Sequence, residues 1–193
     1  ILSILAVGGV LCFLQFPDLS GVRLSLFLIT VVVTSITQIV RVEGVIKDST
    51  YNASVFGYSL ALLALGRAEA SWVVLISFLV IWIWNKRTMP WFALGFNIGS
   101  ATISLALANL VYHFSTQSQG VLPDYQRVAG IIAAGAVYIF FSQLTTGLVF
   151  WLVEGKGLRE SGILNNLLLV ADATQFALGA AAALIWATNP YAI

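Results

Sequence analysis

The chain has 193 residues, of which 60% are hydrophobic and 9% charged. Soluble domains carry roughly 25% charged residues, so a water-soluble globule is excluded. Its net charge of +1 is spread over short loops and offers no basic face for nucleic acid. Cys12 and His113 are the only cysteine and histidine, which excludes an internal disulfide, Cys- or His-clustered metal sites and a histidine relay. What remains is an all-α, polytopic integral membrane helix bundle whose first partner is the lipid bilayer.

In chain order, the sequence predicts a first span over residues 1–16, ended by Pro17-Asp18, and a second over residues 22–40. The second is rich in Val, Ile and Thr, which in water would suit a strand. In lipid an open strand leaves backbone groups unsatisfied, so helix is expected. Residues 41–48 form a polar loop with alternating charges (Arg41, Glu43, Lys47, Asp48). A third apolar segment, residues 51–66, is short against the roughly 20 residues that a spanning helix needs. It reads as tilted, half-inserted or lengthened by Tyr51 and Asn52. Gly66-Arg67-Ala68-Glu69 turns into a fourth span over residues 70–84, and a fifth covers residues 91–114. After a polar loop, a sixth runs over residues 128–153; a charged, glycine-bearing turn leads to a seventh over residues 163–187. The expectation is therefore about seven transmembrane segments, within a range of six to eight, in one domain over residues 1–193. Ile1 lies inside an apolar run, and Asn189-Pro190 reads like the start of another element, so both ends read as incomplete.

Asn85-Lys86-Arg87, flanked by Trp84 and Trp91, has the signature of a cytoplasmic turn between two membrane helices with aromatic rings at headgroup level. Loops on its side carry Arg41, Lys47, Lys86, Arg87, Lys156 and Arg159, against Arg23, Arg67 and Arg127 on the other. Six basic residues against three place the first set in the cytoplasm.

Within the spans, Asp172 is the only deeply placed charge, and Asn165, Asp172, Gln175 and Gly179 share one helical face. An intramembrane carboxylate is a functional-site hypothesis by default; its structural alternative is a protonated or hydrogen-bonded lock between helices. Asn97, Ser100 and Ser104 on the fifth span and Ser142-Gln143 with Thr145-Thr146 on the sixth are further polar clusters, which commonly serve interhelical hydrogen bonding. Were these faces to converge, Asp172, Gln175, Asn165, Asn97, Ser100 and Gln143 would line one small polar cavity. Gly95 and Gly99 form a GxxxG pair, a signal of close helix packing. No phosphate loop, nucleophile elbow or carboxylate pair is present. No catalytic residue and no metal ligand is expected, and no cofactor is indicated.

Gln38-Ile39-Val40-Arg41-Val42, a polar loop, residues 54–62 from Ser54 through Gly57-Tyr58-Ser59 to Leu62, and Leu65-Gly66 with Glu69-Ala70 come in a telling order. They resemble the start of a multi-span bacterial sensor module found amino-terminal to HD-GYP phosphodiesterase and GGDEF diguanylate cyclase domains. The resemblance continues through Asn85-Lys86-Arg87, Trp91 and Phe96-Asn97, and through residues 153–160 with Asn165-Asn166. The family usually has one more hydrophobic helix before its output domain and tends to show Asn in the sixth span, where this chain has Gln143. The resemblance implies a non-catalytic sensor of the bacterial inner membrane that biases an attached or partner cytoplasmic domain. Two other readings fit the residues: a small-solute binding or transport subunit using Asp172, Asn97 and Gln143, and an accessory subunit of a larger, bioenergetic membrane complex.

Overall fold

The computed structural model describes residues 17, 22–39, 42–43, 50–51, 53–85, 90–116, 124–155 and 166–188. These form six helices and one minimal hairpin: α1 (Val22–Ile39), β1 (Val42–Glu43), β2 (Thr50–Tyr51), α2 (Ser54–Ala64), α3 (Arg67–Trp84), α4 (Trp91–Thr116), α5 (Asp124–Glu154) and α6 (Asn166–Thr188). The expected span over residues 1–16, the Lys86-Arg87 turn and Asn165 lie outside the described residues.

Four of the helices, α3 to α6, are long and apolar enough to cross a membrane. That makes four among the described residues against about seven expected, with the expected first span outside the described residues. The third expected segment shows part of the reason. Thr50 and Tyr51 do not extend a helix; they pair antiparallel with Glu43 and Val42. Helix α2 then has 11 residues and a length of about 16 Å, roughly half of a hydrocarbon core about 30 Å thick.

This short helix is the centre of the bundle. It packs against α1, α3, α4 and α6, and Tyr58, Leu60, Ala61 and Leu62 on it are buried. Close approach is possible because small residues meet there. A Cβ at Gly57 would fall 1.8 Å from Thr34 Oγ1 of α1, and one at Gly179 of α6 would fall 2.4 Å from the Phe56 carbonyl oxygen of α2. Small residues at such crossings replace the hydrophobic drive that helices lack in lipid.

The β-branched α1 stays helical with its hydroxyls turned onto its own backbone. Thr30 donates to the Leu26 carbonyl at 2.7 Å, Thr34 to Thr30 at 2.6 Å and Ser35 to Val31 at 2.7 Å. Thr30 and Thr34 are thereby buried without an unsatisfied donor.

Helices α2 and α3 are joined by Leu65-Gly66 alone. Gly66 has φ 119°, a region costly for any residue with a Cβ, and its carbonyl accepts from Ala70 N at 3.0 Å. Arg23, at the start of α1, donates to the Leu65 carbonyl and lies 3.6 Å from Glu69. The Glu69 side chain is only 7% exposed. The sequence reading put Glu69 in a turn; it is in fact a buried carboxylate in the first turn of α3, where the helix dipole favours negative charge.

On α4, Gly99 is buried and Gly95 half-buried, beside the buried Ile98 and Ala101. Gly99→Leu should cost about 1–3 kcal/mol through overpacking, read as a lower melting temperature in detergent. An unchanged melting curve from correctly inserted protein would remove the packing role.

Candidate functional site

Five of the six residues expected to line one polar cavity are described, and they divide between helix pairs. Ser100, buried on α4, shares a hydroxyl–hydroxyl bond with Thr145 of α5, and Ser104 donates back to the Ser100 carbonyl at 2.9 Å. Thr145 also reaches the Phe141 carbonyl at 2.9 Å. This cluster stitches α4 to α5. Asn97 and Gln175 are half-buried and have interactions of their own. Gly179, on the Asp172 face, is buried against α2.

Gln143 and Asp172 do meet. The Gln143 amide Nε2 on α5 donates to Asp172 Oδ2 on α6 at 2.8 Å. An ionised carboxylate can only accept, which matches the amide NH2 end of Gln143 facing Asp172. Two turns away, Gly135 on α5 leaves room for the Phe176 ring of α6; a Cβ there would stand 2.8 Å from it. Tyr138 stacks on the same ring with centroids 6.0 Å apart.

Running past both contacts along α5 and α6 is a groove of about 670 Å³, within the 300–1,000 Å³ usual for small-molecule sites. Ile132, Ala136 and Phe140 line one wall, Ala173 and Phe176 the other, and Gln143 is its polar lining residue. Of the five expected site residues that are described, Gln143 alone lines it. The site is thus an apolar groove with one hydrogen-bonding group, itself held by a carboxylate. Among the described residues no group of three or more His, Cys, Asp and Glu is placed to hold a metal ion. His113 is exposed at the end of α4, edge-on to Tyr112 at 6.1 Å.

A second polar centre was not anticipated from the residues. Gln38, 1% exposed near the end of α1, donates to the Tyr58 hydroxyl of α2 and to Ser77 Oγ of α3 at 3.3 Å. Its carbonyl oxygen is buried with no hydrogen-bond partner among the described residues. The available signal was the Thr30, Thr34, Gln38 spacing, a polar stripe at every fourth residue of an apolar helix.

Tyr58→Phe alone should cost about 1–3 kcal/mol, because Gln38 keeps its buried amide and loses a partner. Adding Gln38→Leu should restore most of that loss, since replacing both members with apolar groups is nearly neutral. Melting curves of the four-member cycle check this; equal, additive losses would show that the two side chains act independently.

Comparison with described protein families, curated proteins and solved structures gave no significant match.

Proposed function

We propose that the chain is a non-catalytic, multi-pass sensor or regulatory module of the bacterial inner membrane, one that biases an attached or partner cytoplasmic signalling domain. The observation supporting this reading is the Gln143–Asp172 bond beside the α5–α6 groove. A regulatory module needs an element with two arrangements that a ligand can bias. Helices α1, α2 and α3 are poor candidates, because glycine-level approach and buried hydrogen bonds tie them together. Helix α6 is seated on α2 through Gly179, while its contact with α5 is sparser and opens into the groove. The α5–α6 angle is therefore the movable element, and the Gln143–Asp172 bond its latch.

The test uses spin labels at Leu152 on α5 and Val170 on α6, both exposed and neither lining the groove, on a Cys12→Ser background. Distance distributions in vesicles should show two populations whose ratio changes in Gln143→Leu. A single distance, identical in wild type and variant, would overturn the regulatory reading and leave a static accessory role.

A further inference from the structure

We infer that the centre formed by Gln38, Tyr58 and Ser77 is a water-binding site, in which a bound water donates to Gln38 Oε1 where α1 ends and α2 begins. Hydration of this centre is independent of any movement between α5 and α6.

The hydrogens at this centre can be followed one by one. The Ser77 hydroxyl donates to the Val74 carbonyl at 3.0 Å, so toward Gln38 it offers only lone pairs. That selects the amide nitrogen of Gln38 for the side facing Ser77, at 3.3 Å, and Tyr58 accepts from the same nitrogen. Both amide hydrogens are thereby used. The Tyr58 hydroxyl lies beside Ser54 and Ser77, either of which can accept its own hydrogen. One acceptor is left over: Gln38 Oε1, buried with no partner among the described residues. Turning the amide over would set its oxygen against the Ser77 lone pairs and leave two amide hydrogens buried instead.

The donor that Gln38 Oε1 calls for is small and neutral. Gln38 is 1% exposed, so a bulky ligand has no approach. The groups around the Tyr58 hydroxyl (Ser77, Ser54 and Gln38) are all uncharged. A cationic donor would therefore be buried without a counter-charge, which is costly in a low-dielectric interior. Water meets both conditions, and the site lies where two helices end. Gln38 is the next-to-last residue of α1 and Ser54 the first of α2. Helix ends carry the backbone groups that a helix cannot pair within itself, and Ala53 at the α2 N-cap supplies no side-chain hydrogen bond. A water donating to Gln38 Oε1 keeps its lone pairs for N–H groups of that first turn. Buried waters typically make about three hydrogen bonds to polar groups otherwise unsatisfied.

The test is X-ray hydroxyl-radical labelling of the whole chain in lipid nanodiscs, read residue by residue by mass spectrometry. A radical born from a bound water oxidises the side chain beside it, even where bulk solvent does not reach. Two tyrosines provide the comparison, since Tyr58 and Tyr138 are each 3% exposed and only Tyr58 belongs to the Gln38 centre. In the wild-type chain Tyr58 should be oxidised well above Tyr138. Gln38→Leu should lower Tyr58 oxidation about two- to tenfold, the effect expected for one lost hydrogen bond, and leave Tyr138 unchanged. Equal, low oxidation of the two tyrosines in the wild type would show a dry centre and overturn the proposal; that comparison needs no variant, so it decides even where Gln38→Leu fails to fold. Tyr58 oxidation unchanged in a folded Gln38→Leu chain would show that Gln38 does not hold the water, and would overturn it as well.

Discussion

Replacing Gly179 by valine should separate α6 from α2 and cost about 3 kcal/mol or more, at the upper end of overpacking penalties. A Cβ at this position would lie 2.0 Å from Ser59 Oγ, 2.4 Å from the Phe56 carbonyl oxygen and 3.1 Å from Leu60 N. Two of those atoms are backbone of a buried helix and have no rotamer to adopt. Two other glycines with close neighbours define the contrast. At Gly57 the obstacle is the Thr34 side chain, and at Gly135 it is the Phe176 ring, in both cases side chain and not backbone. The order of damage should be Gly179→Val, then Gly57→Val, then Gly135→Ala, read as melting temperature and monodispersity in detergent. Leu178→Val, at an adjacent position 57% exposed, serves as the control and should be near neutral. A Gly179→Val chain that melts with the wild type would show that α6 is held elsewhere.

Asp172→Leu should leave the chain folded and, on the proposed regulatory reading, collapse the two expected α5–α6 distances into one. Magnitudes decide between the two roles of this acid. An interhelical hydrogen bond within a membrane protein contributes about 0.6 kcal/mol on average and about 1.7 at most, less than the cost expected at Gly179. Asp172 is therefore a minor fastener of α6, and its place beside the groove is better accounted for by ordering Gln143. Asp172→Asn keeps an acceptor for the Gln143 amide and should preserve both the melting temperature and the pair of spin-label distances. Asp172→Leu should lower stability by no more than about 1.7 kcal/mol and collapse the two distances into one. A folded Asp172→Asn chain that loses the second population would identify the charge as the working feature, against a purely orienting role. A Leu variant equal to wild type in both measurements would remove Asp172 from the latch.

Much of the candidate site was visible in the residues, but not its partnerships. Asp172 stood out as the deep intramembrane charge and Gln143 as an amide in an apolar span; their contact spans 29 positions of sequence. Ser100 was placed with them, yet it faces Thr145 and joins α4 to α5. A helix-face argument tells which residues of one helix point the same way. It does not tell which neighbour that face meets, because in lipid apolar surface alone does not choose a partner. Glu69 was overlooked for a related reason. Its burial depends on Arg23, 46 positions earlier by their numbering, coming back beside the Leu65-Gly66 turn.

Composition and apolar run length by themselves determined that helices dominate and roughly where five of them lie: α1 and α3 to α6 fall within a few residues of the expected segments. Those outcomes are local, since a backbone in hydrocarbon must satisfy its own hydrogen bonds and helix is the open-chain solution. Tertiary structure chose the half-length form among the readings open for the short 51–66 run and made that helix the hub. The 51–66 run has the same apolar character as its neighbours; it is shortened by the pairing of Thr50-Tyr51 with Val42-Glu43. Its central position comes from glycines that belong in part to another helix, α6. The groove is likewise a property of two helices that touch at Gly135–Phe176 and at Gln143–Asp172, with walls drawn from both. Neither helix contains it alone, because a cavity is set by the distance between surfaces that only packing fixes.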